Sequence, residues 1–263
     1  MNILEVEDLY ISFRGLVALD HISFSVKQRE IFGLIGTNGS GKSTFFNCVN
    51  RLYNPQKGRI IYKGDIDLLG KSSHKIVELG IARTFQNLEL FHHTKVLDNI
   101  MVGLHPRLKT KRLFSAGLSP SRFLSAWDWD KDEAFKILDF LGITRFHNRL
   151  VSGLPYGLQK LVELGRALAA HPSLLLLDEP SAGMNEQETR EVAKLIKNIR
   201  EEFGTTILLV EHDMNLVQSV CNSLCVLDTG RVITIGAPDE VVKDPEVLRI
   251  FLGEEEDAYT GRC

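Results

Sequence analysis

The sequence predicts an α/β fold with a mostly parallel sheet, and three observations carry that prediction. β-branched and aromatic runs crowd the first third of the chain, helical periodicity takes over from about Val96 to Ala170, and apolar strands then return around a helical stretch. In chain order, HISFSV (21–26) and EIFGLI (30–35) read as strands, a helix opens at Gly41, and GRIIYKG (58–64) and GIARTF (80–85) read as further strands. The middle block holds DEAFKILDFLGI (132–143) and LQKLVELGRALAA (158–170), apolar at helical spacing, and forms a candidate helical subdomain. SLLLLDE (173–179), TTILLVE (205–211) and SLCVLD (223–228) restore the strand pattern, with QETREVAKLIKNIREEF (187–203) as the helix between the first two. Apolar strands on either side of a helix are the mark of a parallel crossover unit.

Composition narrows the class. A length of 263 residues sits at the upper end of one large domain, and 44% hydrophobic with 25% charged residues excludes disorder and fibrous repeats. Lys plus Arg number 31 against 34 for Asp plus Glu, so there is no basic excess to hold a phosphate backbone and no nucleic-acid partner is expected. No run reaches the roughly 18 to 20 apolar residues of a spanning helix, and MNILEVEDLYISF carries acids where a signal peptide needs a basic end. The chain is therefore expected in the cytosol and not within a membrane. Cys48, Cys221, Cys225 and Cys263 form no CxxC pair and read as reduced packing thiols. Between Asp98 and Asp128 there is no acid, while Arg107, Lys109, Lys111, Arg112 and Arg122 alternate with Phe114, Phe123 and Trp127. That segment reads either as a solvated loop with apolar anchors or as a docking surface for another protein near anionic lipid headgroups.

The chemistry enters at Gly36-Thr37-Asn38-Gly39-Ser40-Gly41-Lys42-Ser43-Thr44, which follows a strand, opens a helix and fits the pattern GxxxxGK followed by Ser or Thr. The glycines let backbone N–H groups turn inward around a phosphate, and the helix adds its positive end. Lys42 can reach β- and γ-phosphates, and the Ser43 hydroxyl can ligate Mg²⁺. A cradle alone does not activate water. The strand ending in Asp178-Glu179 supplies two carboxylates, Asp178 for the Mg²⁺ shell and Glu179 as general base. Taken alone, that strand end reads equally well as a pair of solvated acids.

With these motifs the chain resembles the ATP-binding subunits of ABC transporters, over about Leu4 to Gly253. The resemblance implies a P-loop ATPase core with an antiparallel β edge subdomain and an inserted helical subdomain. As one domain over 1–253, it places the α/β core at 1–86 and 173–253, the helical part at 87–172 with a basic-aromatic insertion at 105–129, and a loose tail at 254–263. Phe13 and Val17 resemble the adenine-stacking position, although a core Phe is the alternative. Gln86 sits where the family has its Mg²⁺-sensing glutamine, and His212 where its histidine contacts the γ-phosphate. Ser181-Ala182-Gly183-Met184-Asn185 is similar to the loop that couples two nucleotide sites across a dimer.

The family's signature, close to LSGGQ, holds the γ-phosphate bound to the opposite subunit. Here it reads Leu154-Pro155-Tyr156-Gly157-Leu158. Pro155 stands at the serine position without hydroxyl or N–H, and Leu158 replaces the glutamine, so two polar contacts are missing. Gly157 and the helix end remain as contacts to the opposite ATP. Losing a charge-assisted contact costs about 1.5 to 3 kcal/mol, enough to slow the opposite site by about one to two decades.

The finer resemblance is to importer subunits for branched-chain amino acids, carried by Tyr156, the basic-aromatic insertion and the ending Gly236-Ala237-Pro238-Asp239-Glu240. It implies ATP and Mg²⁺, two transmembrane permease subunits and a second ATPase subunit, related or identical, paired head to tail. A solute-binding protein completes an importer, and the chain lies peripherally on the cytoplasmic face of the inner membrane. Urea or amide importers, lipid or lipopolysaccharide transporters, a weakly hydrolysing regulatory subunit, and soluble ATPases acting on ribosomes or DNA are the alternatives.

Overall fold

The computed structural model describes residues 1–84, 88–111 and 120–251. In chain order the first part holds β1 (Asn2–Phe13), β2 (Leu16–Lys27), β3 (Ile31–Gly36), α1 (Lys42–Val49), β4 (Lys57–Tyr62), β5 (Ile66–Asp67) and α2 (Ser73–Glu78). The middle holds β6 (Ile81–Arg83), α3 (Val96–Lys111), α4 (Pro120–Phe140) and α5 (Tyr156–Ala169). The last part holds β7 (Leu174–Asp178), α6 (Glu186–Phe203), β8 (Thr206–Val210), α7 (Met214–Val220), β9 (Ser223–Asp228), β10 (Arg231–Gly236) and α8 (Pro238–Val241). Two compact units result, Met1–Ile76 with Leu176–Cys263, and Val77–Leu175.

In the first unit one sheet is antiparallel, in the order β2-β1-β4-β5. The sequence reading assigns no strand before His21, yet β1 occupies Asn2–Phe13. The reason is a register shift between Val6 and Leu9, with Asp8 at φ 50, which breaks the period-two pattern that marks a half-buried strand. A second sheet runs β10-β9-β3-β8-β7, with β3 parallel to both β8 and β9. Every residue of β3, β7 and β8 is buried, which accounts for unbroken apolar runs in place of alternation. Phe24 of β2 stacks on Phe32 of β3 at 5.6 Å and meets Phe45 of α1 at 5.1 Å, so apolar contacts fix the helix that opens after β3. Ile35, Val217, Leu224, Val226, Val241 and Val247 pack as a further core. Because β3, β8 and β9 run the same way, their carboxyl ends emerge along one edge, where open α/β sheets carry ligands.

In the second unit α5 buries Val162, Ala167 and Leu168 and leaves Tyr156 and Gly157 at its start exposed. Fully buried Asn99 ties the chain entering α3 together: its Oδ1 accepts from Phe91 N–H at 3.0 Å, and its amide donates to the Phe91, Thr94 and Lys95 oxygens. None of the described helices is long and apolar enough to cross a membrane.

Candidate nucleotide site

β3 delivers the chain into the glycine-rich loop as a rigid buried strand. Side chains are excluded at two points of that loop. A Cβ on Gly36 would lie 2.0 Å from the Leu227 carbonyl oxygen, and one on Gly41, at φ 106, would lie 2.6 Å from that of Ala18. Gly41 is also the N-cap of α1, and no side chain caps that helix or places an acid in its first turn. The positive end of the helix is thus open to attract an anion. Within the loop Ser40 N–H donates to Thr37 O at 3.2 Å, and Gly230 N–H, from the turn between β9 and β10, donates to Ser40 O at 3.1 Å. Asn38 and Gly39 are exposed at its tip. Lys42 is buried and donates from Nζ to the Gly36 and Thr37 carbonyls at 2.8 and 2.7 Å, and to Ser40 Oγ at 3.3 Å. The ammonium therefore lies inside the loop, and Ser43 and Thr44 follow it on the first turn of α1 with Ser43 exposed.

The carboxylates arrive on β7, next to β8 in the sheet. Asp178 is buried at the strand end. Glu179 takes φ 49, uncommon for a residue with a Cβ, and its N–H is anchored to Val210 O at 2.9 Å. The turn thrown by that φ brings Glu179 Oε1 to 3.1 Å from His212 Nε2, on the loop that leaves β8. So the structure brings together Glu179 and His212, which are 33 residues apart in sequence. The hard oxygens of Ser43 and Asp178 fit Mg²⁺. Among the described residues no group of three or more His, Cys, Asp or Glu could hold a metal.

Phe13 ends β1 beside the two-residue turn 14–15, and Val17 follows that turn; they are 41% and 39% exposed, so Phe13 is not the core aromatic that was its alternative. The Tyr53 ring meets Phe13 edge-on at 5.0 Å, a partner that sequence reasoning passes over. It also passes over Asp228, whose Oδ1 accepts from Thr37 Oγ1 at 3.1 Å, and Glu211, whose carboxylate touches both loops around Glu179. The only trace of Glu211 in the sequence is an acid at the end of an otherwise apolar strand. Gln86 lies outside the described residues, as do the side chains of 106–129, the tail 254–263 and Cys263.

The pattern of the ABC transporter family matches residues 19–182. The chain belongs to that family. It is 39% identical to the high-affinity branched-chain amino acid transport ATP-binding protein LivG of Salmonella typhimurium, covering 96% of this chain and 98% of LivG. Its likeness to the corresponding BraF of Pseudomonas aeruginosa is 37%, with the same coverage. A solved ATP-binding cassette of an ABC transporter in its ADP conformation matches with a TM-score of 0.80 at 31% identity, covering 96% of this chain and 99% of that one. The chain is thus an ABC-family ATPase with that family's fold.

The stretch read from the sequence as resembling the ABC signature opens α5. Pro155 is its N-cap, no side chain caps the helix, and a Cβ at Gly157 would meet nothing within 4 Å. Tyr156 is exposed under the Lys160 ammonium, 5.3 Å from its ring centre. Gln159, one position past Leu158, turns back and donates to Leu154 O at 2.8 Å.

Proposed function

We propose that this chain is the ATP-hydrolysing motor of an importer for branched-chain or other hydrophobic amino acids, held peripherally on the cytoplasmic face of the membrane. The observation that carries the cargo is the likeness, over nearly the whole length of both chains, to relatives named for branched-chain amino acid transport. The ATP chemistry is supported by the uncapped α1 behind its glycine loop and by the meeting of Glu179 with His212.

In this reading Phe13 and Val17 hold adenine, while Gly36, Thr37, Asn38, Gly39, Ser40 and Gly41 wrap the phosphates. Lys42 exchanges its loop carbonyls for β- and γ-phosphate oxygens, and the N–H groups of Ser43 and Thr44 complete the cradle. Ser43, Gln86 and Asp178 hold Mg²⁺, which when bound neutralises phosphate charge. Glu179 takes a proton from water as the water oxygen attacks the γ-phosphorus and the bond to ADP breaks. His212 contacts the γ-phosphate beside it. A second cassette, identical or related, closes over this site with its signature helix, while Pro155, Tyr156 and Gly157 face the partner's ATP. Greater affinity of ATP for the closed pair than for the open one moves two membrane permeases, and a solute-binding protein presents the cargo.

The test is gentle extraction of the tagged full chain from its native membranes, mass spectrometry of what co-purifies, and uptake of labelled leucine, isoleucine and valine with and without the chain. Two polytopic permeases with a second cassette, and uptake that depends on the chain, are expected. Recovery of soluble partners or ribosomes alone overturns the transport reading, and intact uptake of all three amino acids overturns the cargo.

A further inference from the structure

Glu211 follows the apolar strand β8 and is 3% exposed, a costly place for a carboxylate unless donors surround it. They do, and from two separate segments. Oε1 accepts from Ser181 N–H at 2.8 Å and from Ser181 Oγ at 2.5 Å. Oε2 accepts from His212 N–H at 2.8 Å and from Asp213 N–H at 3.4 Å. One oxygen thus serves the loop two residues beyond Glu179, and the other serves the loop that carries His212. Because Glu179 Oε1 and His212 Nε2 are 3.1 Å apart, the contacts close a ring from Glu179 through Ser181, Glu211 and His212 back to Glu179. Asp213, held on the far side, in turn caps α7 through Asn215 and Leu216 N–H. No ion pair to a basic side chain accompanies Glu211 among the described residues, so every restraint it gives is aimed at these two loops.

We propose that Glu211 is a positioning residue for ATP hydrolysis: its carboxylate locks the loop after Glu179 to the loop bearing His212 and so fixes the water-activating carboxylate relative to the group beside the γ-phosphate. This rests on the reading of Glu179 and His212 as the hydrolytic pair. A misplacement of about 1 Å in such a constellation costs on the order of 100-fold in rate while leaving ground-state binding alone. The carboxylate bonds to Ser181, His212 and Asp213, not to Lys42 or the loop carbonyls that Lys42 meets, so its loss is expected to separate turnover from nucleotide affinity.

The experiment compares Glu211→Gln, Ser181→Ala, the double variant and Glu179→Gln in the complex isolated through the tagged full chain, with ATP turnover and ATP affinity measured on each. Glu211→Gln keeps the shape of the side chain but turns an NH₂ toward N–H donors. It is expected to lower kcat by about 10- to 100-fold with ATP affinity within about twofold. Ser181→Ala is expected to lower kcat by about 3- to 10-fold, and the effect of Glu211→Gln is expected to shrink in its background, because half of the clamp is already gone. Hydrogen exchange on the full chain is expected to quicken at Ser181, His212 and Asp213 together, with the first turn of α1 unchanged. Turnover of Glu211→Gln within twofold of the parent overturns the proposal, as does a joint fall of kcat and ATP affinity with faster exchange in α1. Should Glu211→Gln fail to fold, Ser181→Ala decides alone, and unchanged turnover there overturns it. Hydrolysis surviving in Glu179→Gln refutes the underlying pair, a separate result from an active Glu211→Gln beside an inactive Glu179→Gln.

Discussion

Lys42 is bonded to its own loop, donating to the Gly36 and Thr37 carbonyls and to Ser40. Removing it leaves those acceptors without their cation and deletes one charge-assisted contact to phosphate, worth about 1.5 to 3 kcal/mol. Lys42→Ala is thus expected to weaken ATP binding by about 10- to 100-fold in an equilibrium titration. Glu179→Gln keeps shape and loses the base, so its expected result is an ATP-bound closed pair that does not turn over, visible as a stable dimer in size-exclusion chromatography with ATP. Pro155→Ser gives the exposed end of α5 a hydroxyl and an N–H, and is expected to raise steady-state turnover of the assembled complex; unchanged turnover would count against a weakened signature. Lys42 and Glu179 stand out in the sequence because phosphate chemistry dictates residue type and spacing at once, whereas Pro155 stands out only through the resemblance to the family's signature. Glu211, Tyr53 and Asp228 do not stand out, because each acts through a partner that only the fold supplies: Glu211 meets Ser181 across 30 residues, and Asp228 meets Thr37 across 191.

Elements were legible where their period was clean. The strands at 30–35 and 173–179 appear as β3 and β7 within a residue or two at each end, since a buried parallel strand is an unbroken apolar run. β1 was hidden by its irregular register at Asp8. The approach of α3 to α5 was equally hidden, because nothing in a helical pattern announces how close two axes come. A Cβ added at Gly103 would lie 2.1 Å from the Arg166 carbonyl oxygen and 2.8 Å from the Ala169 Cβ, so the two helices meet through a missing side chain. Gly103→Ala must push them apart, and the expected cost is about 1 to 3 kcal/mol, more than the helix propensity gained. A lowered urea midpoint checks this, and a raised one would contradict it.

At the scale of the whole molecule, α/β class and order of parts followed from the alternation of strand and helix texture, while the split core came from the family resemblance, which put its parts at 1–86 and 173–253 where the compact unit comprises Met1–Ile76 and Leu176–Cys263. Its three described cysteines also speak at this scale. Burial pushes the thiols of Cys48, Cys221 and Cys225 up to about 12 from 9.0, with Glu211 adding to the rise at Cys221. Above about pH 9 the unfolded thiols release protons that the folded ones keep, so the folded state binds more protons and stability falls as pH rises toward 12. Each thiol contributes up to about 1.4 kcal/mol per pH unit in that window, discounted where burial is incomplete. Denaturant titrations on either side of about pH 9 check the slope, and Cys225→Ala should flatten it. A slope unaltered by that substitution would contradict the assignment.

The bare N-terminus of α1 also limits how this chain can be improved. α6 and α7 carry side-chain caps at Asn185 and Asp213, whereas α1 begins at Gly41 without one. A cap is normally among the easiest gains open to selection for heat tolerance, worth about 1 kcal/mol. Here the backbone that bars a Cβ at Gly41 also bars the cap, so mutants that survive a thermal screen will carry their changes elsewhere and leave the phosphate end of the helix untouched.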